Sequence, residues 1–281
     1  MRKRFIIILV LIVIAVLAGI FLGIPYLDNA NTSEEINTFK NTNQTLNVNG
    51  IIKSNDFANL PRIVKSYLSK NIKNKTFSPK LSKISLIGKT KDTKNAEWVE
   101  SNSVIYFSTA EPNFIEINEE KKNYFVWNKT RNSYINGKAS TFTKLYSSIP
   151  TYEFEGNKLN KSYLILYLME SVFSPTTLLP NKHIKWKYLN NSSAKATIWS
   201  QNLDGNATFY FNEQNQITKI VSDELYMRGK VDYSRETFTI HFANYKDVGN
   251  YIIPTYFEFQ WNLAGYDFTF ARYQITNTNY Q

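Results

Sequence analysis

The chain has 281 residues, of which 43% are hydrophobic and 15% aromatic, and its formal net charge is +10. It contains no cysteine and only two histidines. The absence of cysteine excludes disulfides, thiolate metal sites, a cysteine nucleophile and the acylated cysteine of a lipoprotein anchor. The chain therefore depends on an ordinary apolar core, and it is long enough to bury one.

An apolar segment near the N-terminus runs from Phe5 to Ile24 without a charged residue. About 20 residues at about 1.5 Å each span the hydrocarbon core of a bilayer, which is about 30 Å thick. Arg2, Lys3 and Arg4 precede the segment, and the positive-inside rule then places the N-terminus in the cytoplasm. The pattern predicts a single-pass protein of the cell membrane. The alternative is a cleaved signal peptide, whose apolar region is normally about 7 to 15 residues long.

Composition divides the chain into three parts. Residues 1–24 form a short cytoplasmic stub and the predicted transmembrane helix. Residues 25–59 are rich in Asn and Thr and poor in apolar side chains, which is typical of a polar stalk that does not fold by itself. Residues 60–281 are expected to form one extracytoplasmic β-rich domain.

Two helices are predicted in the extracytoplasmic part. The first opens at Asn59, with Pro61 in its first turn, and is amphipathic. The second runs from about Lys161 to Phe173 with Asn160 as its cap, and Pro175 follows its end. This second helix is apolar nearly all round and too short to cross a bilayer, so we expect it to be buried.

The rest of the domain has the period-two pattern of strands. After Pro180, for example, Phe257, Phe259 and Trp261 alternate with polar residues. Such alternation predicts an antiparallel sheet with one buried face and one wetter face. The strands predicted before the second helix are Ser82–Thr90, Glu97–Ser108, Phe114–Glu119, Tyr124–Asn128, Ser133–Asn136 and Ser140–Tyr146.

Catalytic patterns are almost absent. There is no G-x-S-x-G and no phosphate-binding glycine loop, and neither histidine has a second one at ligand spacing. Two acids suffice for glycosidase-type chemistry, but the sequence brings no two candidates together. We therefore expect a non-catalytic protein without metal or cofactor. A carboxylate-dependent envelope hydrolase is kept as a third hypothesis for its function. The candidate acids are Glu97, Glu100, Glu111, Asp204 and Glu258.

The positive charge belongs to one segment. Between Leu60 and Lys94 ten Lys and Arg residues face a single acid, Asp92. Because that segment lies outside the cytoplasm, nucleic acid is not an expected partner. The segment suits an anionic surface or a protein partner, which gives the second reading: a structural or protein-interaction domain of the cell envelope that uses residues 60–94. A solvated face without a partner is the simpler alternative.

Several motifs resemble an uncharacterised bacterial family that is known only as a domain of unknown function. The resemblance covers about Leu60 to Tyr280. Members of that family often carry Trp where this chain has Ser174. The motifs are the L-P-x-x-V-x-x-Y-L start at Leu60–Leu68, the P-T-x-L-L-P motif at Pro175–Pro180, and the stretches Phe209–Asn212, Phe242–Lys246 and Ile253–Thr255.

The order of elements is similar, at the level of fold, to the periplasmic lipoprotein-carrier (LolA/LolB-like) superfamily. This resemblance implies a mainly β (α+β) fold, with a strongly curved antiparallel sheet or half-open β-barrel wrapped around a buried helix and acyl chains held in the hollow. Together with the apolar N-terminal segment, it suggests a membrane-tethered domain that binds a lipid, a lipoprotein acyl chain or another apolar ligand. The alternative is a packed core without a hollow. The predicted ligand-binding residues are Trp127, Leu164, Leu168, Phe173, Leu178, Leu179, Trp186 and Phe209.

Overall fold

The computed structural model describes residues 2–19, 23–45, 52, 57–73, 78–123, 126–229 and 232–281. The helices are α1 (Arg2–Ala18), α2 (Ile24–Gln44), α3 (Arg62–Asn71) and α4 (Asn157–Glu170). The strands are β1 (Leu81–Thr90), β2 (Val99–Ser108), β3 (Phe114–Lys121), β4 (Trp127–Ile135), β5 (Lys138–Leu145), β6 (Ile149–Glu155), β7 (Ile184–Asn190), β8 (Ser193–Ser200), β9 (Leu203–Phe211), β10 (Ile217–Arg228), β11 (Tyr233–Val248), β12 (Tyr251–Leu263) and β13 (Tyr266–Tyr280).

These strands form one antiparallel sheet in the order β6-β5-β4-β3-β2-β1-β13-β12-β11-β10-β9-β8-β7. Each half is a meander of consecutive strands. The two halves join where β1 pairs with β13, with Ser82 opposite Tyr280 and Thr90 opposite Ala271. The first and last strands of the domain therefore lie at the centre of the sheet, which confirms the predicted mainly β antiparallel architecture.

Helix α4 shows that the sheet is curled. It packs against β4, β5 and β6 of one half and against β8, β9 and β10 of the other. These two sets of strands lie on opposite sides of the central β1–β13 pair. Strands so far apart in a sheet reach one helix only if the sheet bends around it. The prediction of a curved sheet around a buried helix is confirmed.

The fit of α4 against β9 depends on Gly205. A Cβ atom at this position would lie 2.3 Å from Cγ1 of Ile165, which is fully buried on α4. The missing side chain lets the helix approach the strand closely. Leu164, Leu168 and Met169, also on α4, have no exposed surface. Burial of this helix supplies a large part of the apolar core.

Both predicted helix starts differ from the structure. Helix α3 has Pro61 at its N-cap position, and α4 begins at Asn157, after Gly156. Asn160 therefore lies inside α4, where its side-chain oxygen accepts a hydrogen bond from the backbone N–H of Ala139 at 2.7 Å. The Asn160 side chain, which the sequence predicted as an N-cap, is therefore used in a tertiary hydrogen bond instead. The last predicted turn, Ser171–Phe173, is a 3-10 helix.

The strand predictions differ in two places. Strand β4 runs through the gap between the predicted strands Tyr124–Asn128 and Ser133–Asn136, and residues 124–125 lie outside the described residues. Strand β6 was not predicted. Its residues are almost all exposed at the edge of the sheet, so they lack the alternation of a half-buried strand.

The segment predicted as a polar stalk is largely helical. Helix α2 lies on the sheet face opposite α4, where Phe39, only 5% exposed, packs with Leu81, Tyr106 and Ile115. Apart from residue 52, residues 46–56 lie outside the described residues. The stalk prediction failed because α2 contributes little apolar surface of its own and is stabilised by the sheet.

Ion pairs fix the polar side of α2 to β4 and β5. The carboxylate of Asp28 accepts hydrogen bonds from Nζ of Lys129 at 2.8 Å and Nζ of Lys144 at 2.5 Å. Burial alone would raise the pKa of Asp28, but the hydrogen bonds and charges of the two lysines hold this pKa below its ordinary value. Glu35 pairs with Arg131 one to two turns further along α2.

Helix α1 contains most of the predicted span, and residues 20–22 of that span lie outside the described residues. Its apolar side chains from Phe5 to Val16 are exposed wherever they are described. Within the described ranges, no helix combines the length and the apolar character needed to cross a membrane.

The Gly205→Ala substitution tests the close approach of α4 to β9. The new methyl group would collide with Ile165, and overpacking of this kind costs about 1 to 3 kcal/mol. We expect a lower midpoint in denaturant unfolding. Asp204→Ala, at the exposed neighbouring position, is the control and should leave the midpoint unchanged within error. Equal midpoints for both variants would contradict the close contact.

The Asp28→Asn substitution tests the docking of α2. Loss of the carboxylate leaves Lys129, which is 7% exposed, with a weaker partner. We expect faster hydrogen exchange in α2 at neutral pH. Because the folded-state pKa of Asp28 is lowered, its stabilising effect is present above the ordinary pKa and is lost as the pH falls through the lowered one. The difference between variant and wild type should therefore vanish in acid.

The control for this experiment is Asp232→Asn, which breaks an exposed pair with Lys158. Exposed pairs contribute little, so exchange should not change there or in α2. Unchanged α2 exchange in Asp28→Asn would show that the helix is held by its apolar contacts alone.

Candidate functional site

The predicted ligand-binding residues fall mainly in one buried cluster around α4. Trp186 packs against the edge of this cluster, and its indole N–H donates a hydrogen bond to the backbone oxygen of Leu178 at 2.8 Å. The buried members are Leu164, Leu168, Phe173, Leu178, Leu179 and Phe209, each at most 8% exposed. These residues lie together in one cluster in which their side chains pack on one another, and their role in binding a ligand stays a prediction.

Trp127 lies apart from the others. On β4, Asn132 accepts a hydrogen bond from Tyr163 of α4, whereas Lys129 donates one to Asp28 of α2. Side chains alternate along a strand, so Trp127 shares the α2 face with Lys129. Sequence reasoning placed Trp127 in the hollow because strand parity could not be assigned before the bounds of β4 were known.

The face of the sheet that carries α4, here called the concave face, has an incompletely covered part. Phe257 contacts Phe173 with ring centroids 4.8 Å apart, so Phe257, Phe259 and Trp261 point toward the helical side by alternation. Phe270 stacks on Phe259, at 6.1 Å, and on Trp261, at 6.5 Å. Phe259, Trp261 and Phe270, here called the aromatic patch, are only half-buried.

One side of α4 is also incompletely covered. Tyr163 and Leu166 are half-buried, and Glu170 falls on the same side of the helix because residues three, four and seven apart are neighbours. The Tyr163 hydroxyl is 2.9 Å from Oδ1 of Asn132 and also pairs with Thr141. This side of α4 therefore faces β3–β5. The expectation that α4 is shielded from solvent on every side is wrong.

Three carboxyl groups occupy this part of the concave face. Phe114 packs on Tyr163 with centroids 5.5 Å apart, so Glu116 and Glu120 of β3 also point toward α4 by alternation. Both are half-buried, whereas Glu170 is 9% exposed. Glu116, Glu120 and Glu170 are here called the acidic cluster.

The electrostatics of the acidic cluster follow from its surroundings. Burial first, and then the charge of Glu116, raise the pKa of Glu170 well above its ordinary value. Burial also raises the pKa of Glu120, and the charges of Asp92 and Glu116 add to this effect, whereas Lys122 and a hydrogen bond from Thr90 oppose it. Glu170 is therefore held in its protonated form to a higher pH than a solvated glutamate.

Tyr273 of β13 connects the acidic cluster to the aromatic patch. Its ring lies 6.3 Å from that of Phe259, and its hydroxyl lies 2.8 Å from Oγ of Ser101. Gly88 leaves room for this ring, since a Cβ atom there would lie 2.5 Å from Cδ1 of Tyr273. One end of Tyr273 therefore touches the aromatic patch while the other enters the polar side.

Other cavities open on the α2 side. A cavity of about 530 Å³ lies between α2 and the sheet and is lined by Phe39, Ile115 and Ile135 among others. Another, of about 710 Å³, is lined by Trp98 and Trp127 with charged neighbours. The predicted ligand residue Trp127 therefore adjoins a cavity, but one separate from the cluster around α4.

The carboxylates selected from the sequence are spread over the molecule. Glu100 lies opposite Lys89, Lys89 lies opposite Arg272, and Arg272 lies opposite Glu258 on successive strands. The backbones of Glu100 and Glu258 are therefore three strands apart, about 14 Å at the usual strand spacing. Paired glycosidase acids are about 5 to 10 Å apart. Glu111 instead pairs with His183 and Lys182. Among the described residues, no group of three side chains could hold a metal ion.

The basic segment from Leu60 to Lys94 does not form one surface. Lys73 on α3 pairs with Asp247. Lys83 lies over the ring of Tyr106 on the α2 side, and Lys91 lies beyond the far end of β1, a strand about 30 Å long. The positive charges are therefore distributed around the sheet.

Comparison with known proteins identifies a family. A family of unknown function, DUF6544, matches residues 50–273. The chain belongs to this family. The assignment confirms the resemblance that the motifs indicated. No curated protein sequence matches the chain.

Three solved structures are similar to this DUF6544 protein. One is an outer membrane lipoprotein-sorting protein domain from Vibrio parahaemolyticus, with 12% identity, a TM-score of 0.39, and coverage of 72% of this chain and 85% of that one. A LolA superfamily protein from Nitrosomonas europaea has 7% identity, a TM-score of 0.43, and coverage of 78% and 92%. A DUF1329 family protein from Desulfovibrio piger has 10% identity, a TM-score of 0.41, and coverage of 72% and 86%. At these identities the likeness concerns the fold alone.

Sequence reasoning included neither the acidic cluster nor the aromatic patch among the predicted ligand-binding residues. The alternation of Phe257, Phe259 and Trp261 was visible, but nothing local indicated that α4 leaves the last two incompletely covered. Glu170 is a polar position within the second predicted helix, which is otherwise apolar nearly all round. A carboxyl group in such a helix was the one available signal, because an ionisable group is seldom buried without a partner.

The Glu170→Gln substitution tests the buried carboxyl. The pKa of Glu170 is higher in the folded than in the unfolded protein. The free energy of unfolding therefore falls as the pH rises from the unfolded-state pKa toward the folded-state pKa. The variant should therefore be more stable than wild type at pH 8, and the difference should shrink toward pH 4.5. Thermal unfolding at several pH values measures this. Glu153→Gln, at an exposed position of β6, should show no such trend, and an unchanged Glu170→Gln curve would contradict the burial.

Proposed function

We propose that this DUF6544 protein is a membrane-tethered, extracytoplasmic domain that binds the acyl chain of a lipid or lipoprotein, or a similar apolar ligand, without catalysing a reaction. The observation that supports this most directly is the aromatic patch. Phe259, Trp261 and Phe270 remain half-buried on the concave face and are continuous with the buried core.

The physical argument concerns the cost of exposed aromatic surface. Side chains such as Trp261 and Phe259 gain by leaving water, and a contiguous exposed patch of this kind is characteristic of a binding site. An acyl chain placed against the patch would contribute about 0.8 kcal/mol for each methylene group that it buries. Leu166, half-buried on the open side of α4, would add to the apolar wall.

The tether is proposed from the first helix. The apolar side chains of α1 are exposed and bind nothing in the described structure, and Arg2 to Arg4 give it the charge asymmetry of a helix with a cytoplasmic N-terminus. Helix α2 begins at Ile24 and is docked on the sheet. The domain would therefore stand close to the membrane surface, with little free spacer between them.

The proposal of a non-catalytic protein is supported by the arrangement of polar groups. The backbones of Glu100 and Glu258 lie three strands apart, and Glu258 is paired with Arg272. The carboxylate of Glu116 accepts hydrogen bonds from Ser103 and Asn132, which are neutral groups and no nucleophile–base pair. Binding, and no bond-breaking step, is the function that this geometry supports.

A binding titration tests the proposal. The full chain is held in a nonionic amphipathic polymer and titrated with an anthroyloxy-labelled fatty acid. We expect saturable binding, weakened about tenfold or more by Trp261→Ala, which corresponds to about 1.4 kcal/mol. The matched control is Trp199→Ala, because Trp199 is 37% exposed and alternates with the fully buried Ile198. Its dissociation constant should equal that of wild type.

Two results would contradict the proposal. One is the absence of saturable binding by a folded wild-type chain, as judged by circular dichroism. The other is an equal dissociation constant for Trp261→Ala and Trp199→Ala, which would remove the aromatic patch from the site.

A further inference from the structure

The acidic cluster lacks a compensating cation near its buried member. Glu116 accepts hydrogen bonds from Oγ of Ser103 at 2.6 Å and Nδ2 of Asn132 at 2.9 Å, and Glu120 accepts one from Oγ1 of Thr90 at 2.7 Å. All three donors are neutral. These groups orient the carboxylates without cancelling their charge.

Glu170 provides an independent observation from a different element. It is more than nine-tenths buried on α4, and in the described part of the chain it makes no hydrogen bond and no ion pair. Its electrostatic neighbour is Glu116, a group of the same sign. The carboxyl oxygens of Glu170 still reach solvent, so a group from outside the protein can pair with them.

A basic group, Lys122, lies at the rim of the cluster. Lys122, which follows β3, interacts with Glu120 and lies 4.0 Å from Asp92, and both Lys122 and Asp92 are largely exposed. Its charge is therefore shared with another acid and with solvent. The negative charge on the inner side is that of Glu116, beside the protonated carboxyl of Glu170.

The acidic cluster adjoins an aromatic surface. The Tyr273 hydroxyl is 3.5 Å from Nδ2 of Asn118, between Glu116 and Glu120 on β3, and its ring lies 5.7 Å from that of Phe257. Aromatic faces attract cations, and this attraction is strongest for ammonium groups that have left water. Carboxylates beside aromatic rings make up a surface suited to a substituted ammonium group with an apolar chain.

We propose that the concave face binds an amphiphile with a cationic, amine-type head group, held by Glu116, Glu120 and Glu170, while its apolar tail lies on the aromatic patch. This inference rests on the proposed function and narrows its ligand class. A ligand with an anionic head group is disfavoured, because it would add a like charge beside Glu116. A cation instead favours the ionised form of Glu170 and would pair with it.

The experiment compares three probes with the same ten-carbon tail: decyltrimethylammonium, decanol and decanoate. Each is used to displace the anthroyloxy-labelled fatty acid from the full chain in the nonionic polymer. We expect decyltrimethylammonium to displace it at a concentration at least tenfold lower than decanoate, with decanol between them. The trimethylammonium group is used because it keeps its charge at every pH.

Two variants replace a carboxyl group, which can carry a negative charge, with an amide of similar size. The measured ratio is the displacing concentration of decanoate divided by that of decyltrimethylammonium. Glu170→Gln and Glu116→Gln should each reduce this ratio at least fivefold, chiefly by weakening binding of the cation. Glu153→Gln, on the exposed edge strand, should leave the ratio unchanged. Trp261→Ala should weaken all three probes by a similar factor, because it acts on the tail.

The outcomes separate the two proposals. The cationic head group is refuted if the probes bind and decanoate displaces the fatty acid as effectively as decyltrimethylammonium does. It is also refuted if both Gln variants keep the wild-type ratio of the two displacing concentrations. In either case the apolar-ligand function stands. If no probe displaces the fatty acid, both are refuted. Circular dichroism establishes that each variant is folded, and Glu120→Gln replaces whichever of the two is not.

Discussion

The packing of α4 against both halves of the sheet is the constraint on which the rest of the structure depends. A thirteen-stranded antiparallel sheet that stayed open would leave one face of its central strands in water. Here the sheet bends until β4–β6 and β8–β10 meet the same helix, and the close approach at Gly205 fixes how near the helix lies. The core, the concave face and the division between covered and uncovered surface follow from this one arrangement.

A single short helix cannot cover the whole concave face of so wide a sheet. Helix α4 packs against β4–β6 and β8–β10, whereas β12 is contacted by α3 and by the turn Ser171–Phe173. The aromatic patch lies on the part of β12 and β13 that remains half-buried. The acidic cluster lies beside it, since Glu170 is the last residue of α4. The candidate site is thus the part of the concave face that these helices leave incompletely covered.

The other face of the sheet serves a different purpose. Helix α2 covers part of it through the apolar contacts of Phe39 and the ion pairs of Asp28 and Glu35. These pairs are partly buried, so they orient the helix more than they add to the free energy of unfolding. Because α2 follows directly on the predicted membrane segment, this docking would also orient the concave face relative to the membrane.

The sequence by itself determined the class of the fold and the burial of α4, because period-two alternation and an all-round apolar helix are local patterns with one physical reading. Motifs such as Pro175–Pro180 were enough to indicate the family. Tertiary structure alone decided that α2 is a docked helix, that Trp127 faces away from α4, and that Glu170 meets Glu116. These outcomes depend on contacts between residues distant in the chain: strand parity at β4, the sheet surface offered to a polar helix, and the curl that brings α4 over β3. No local pattern encodes such contacts, so sequence reasoning located the core but not the surface that the core leaves open.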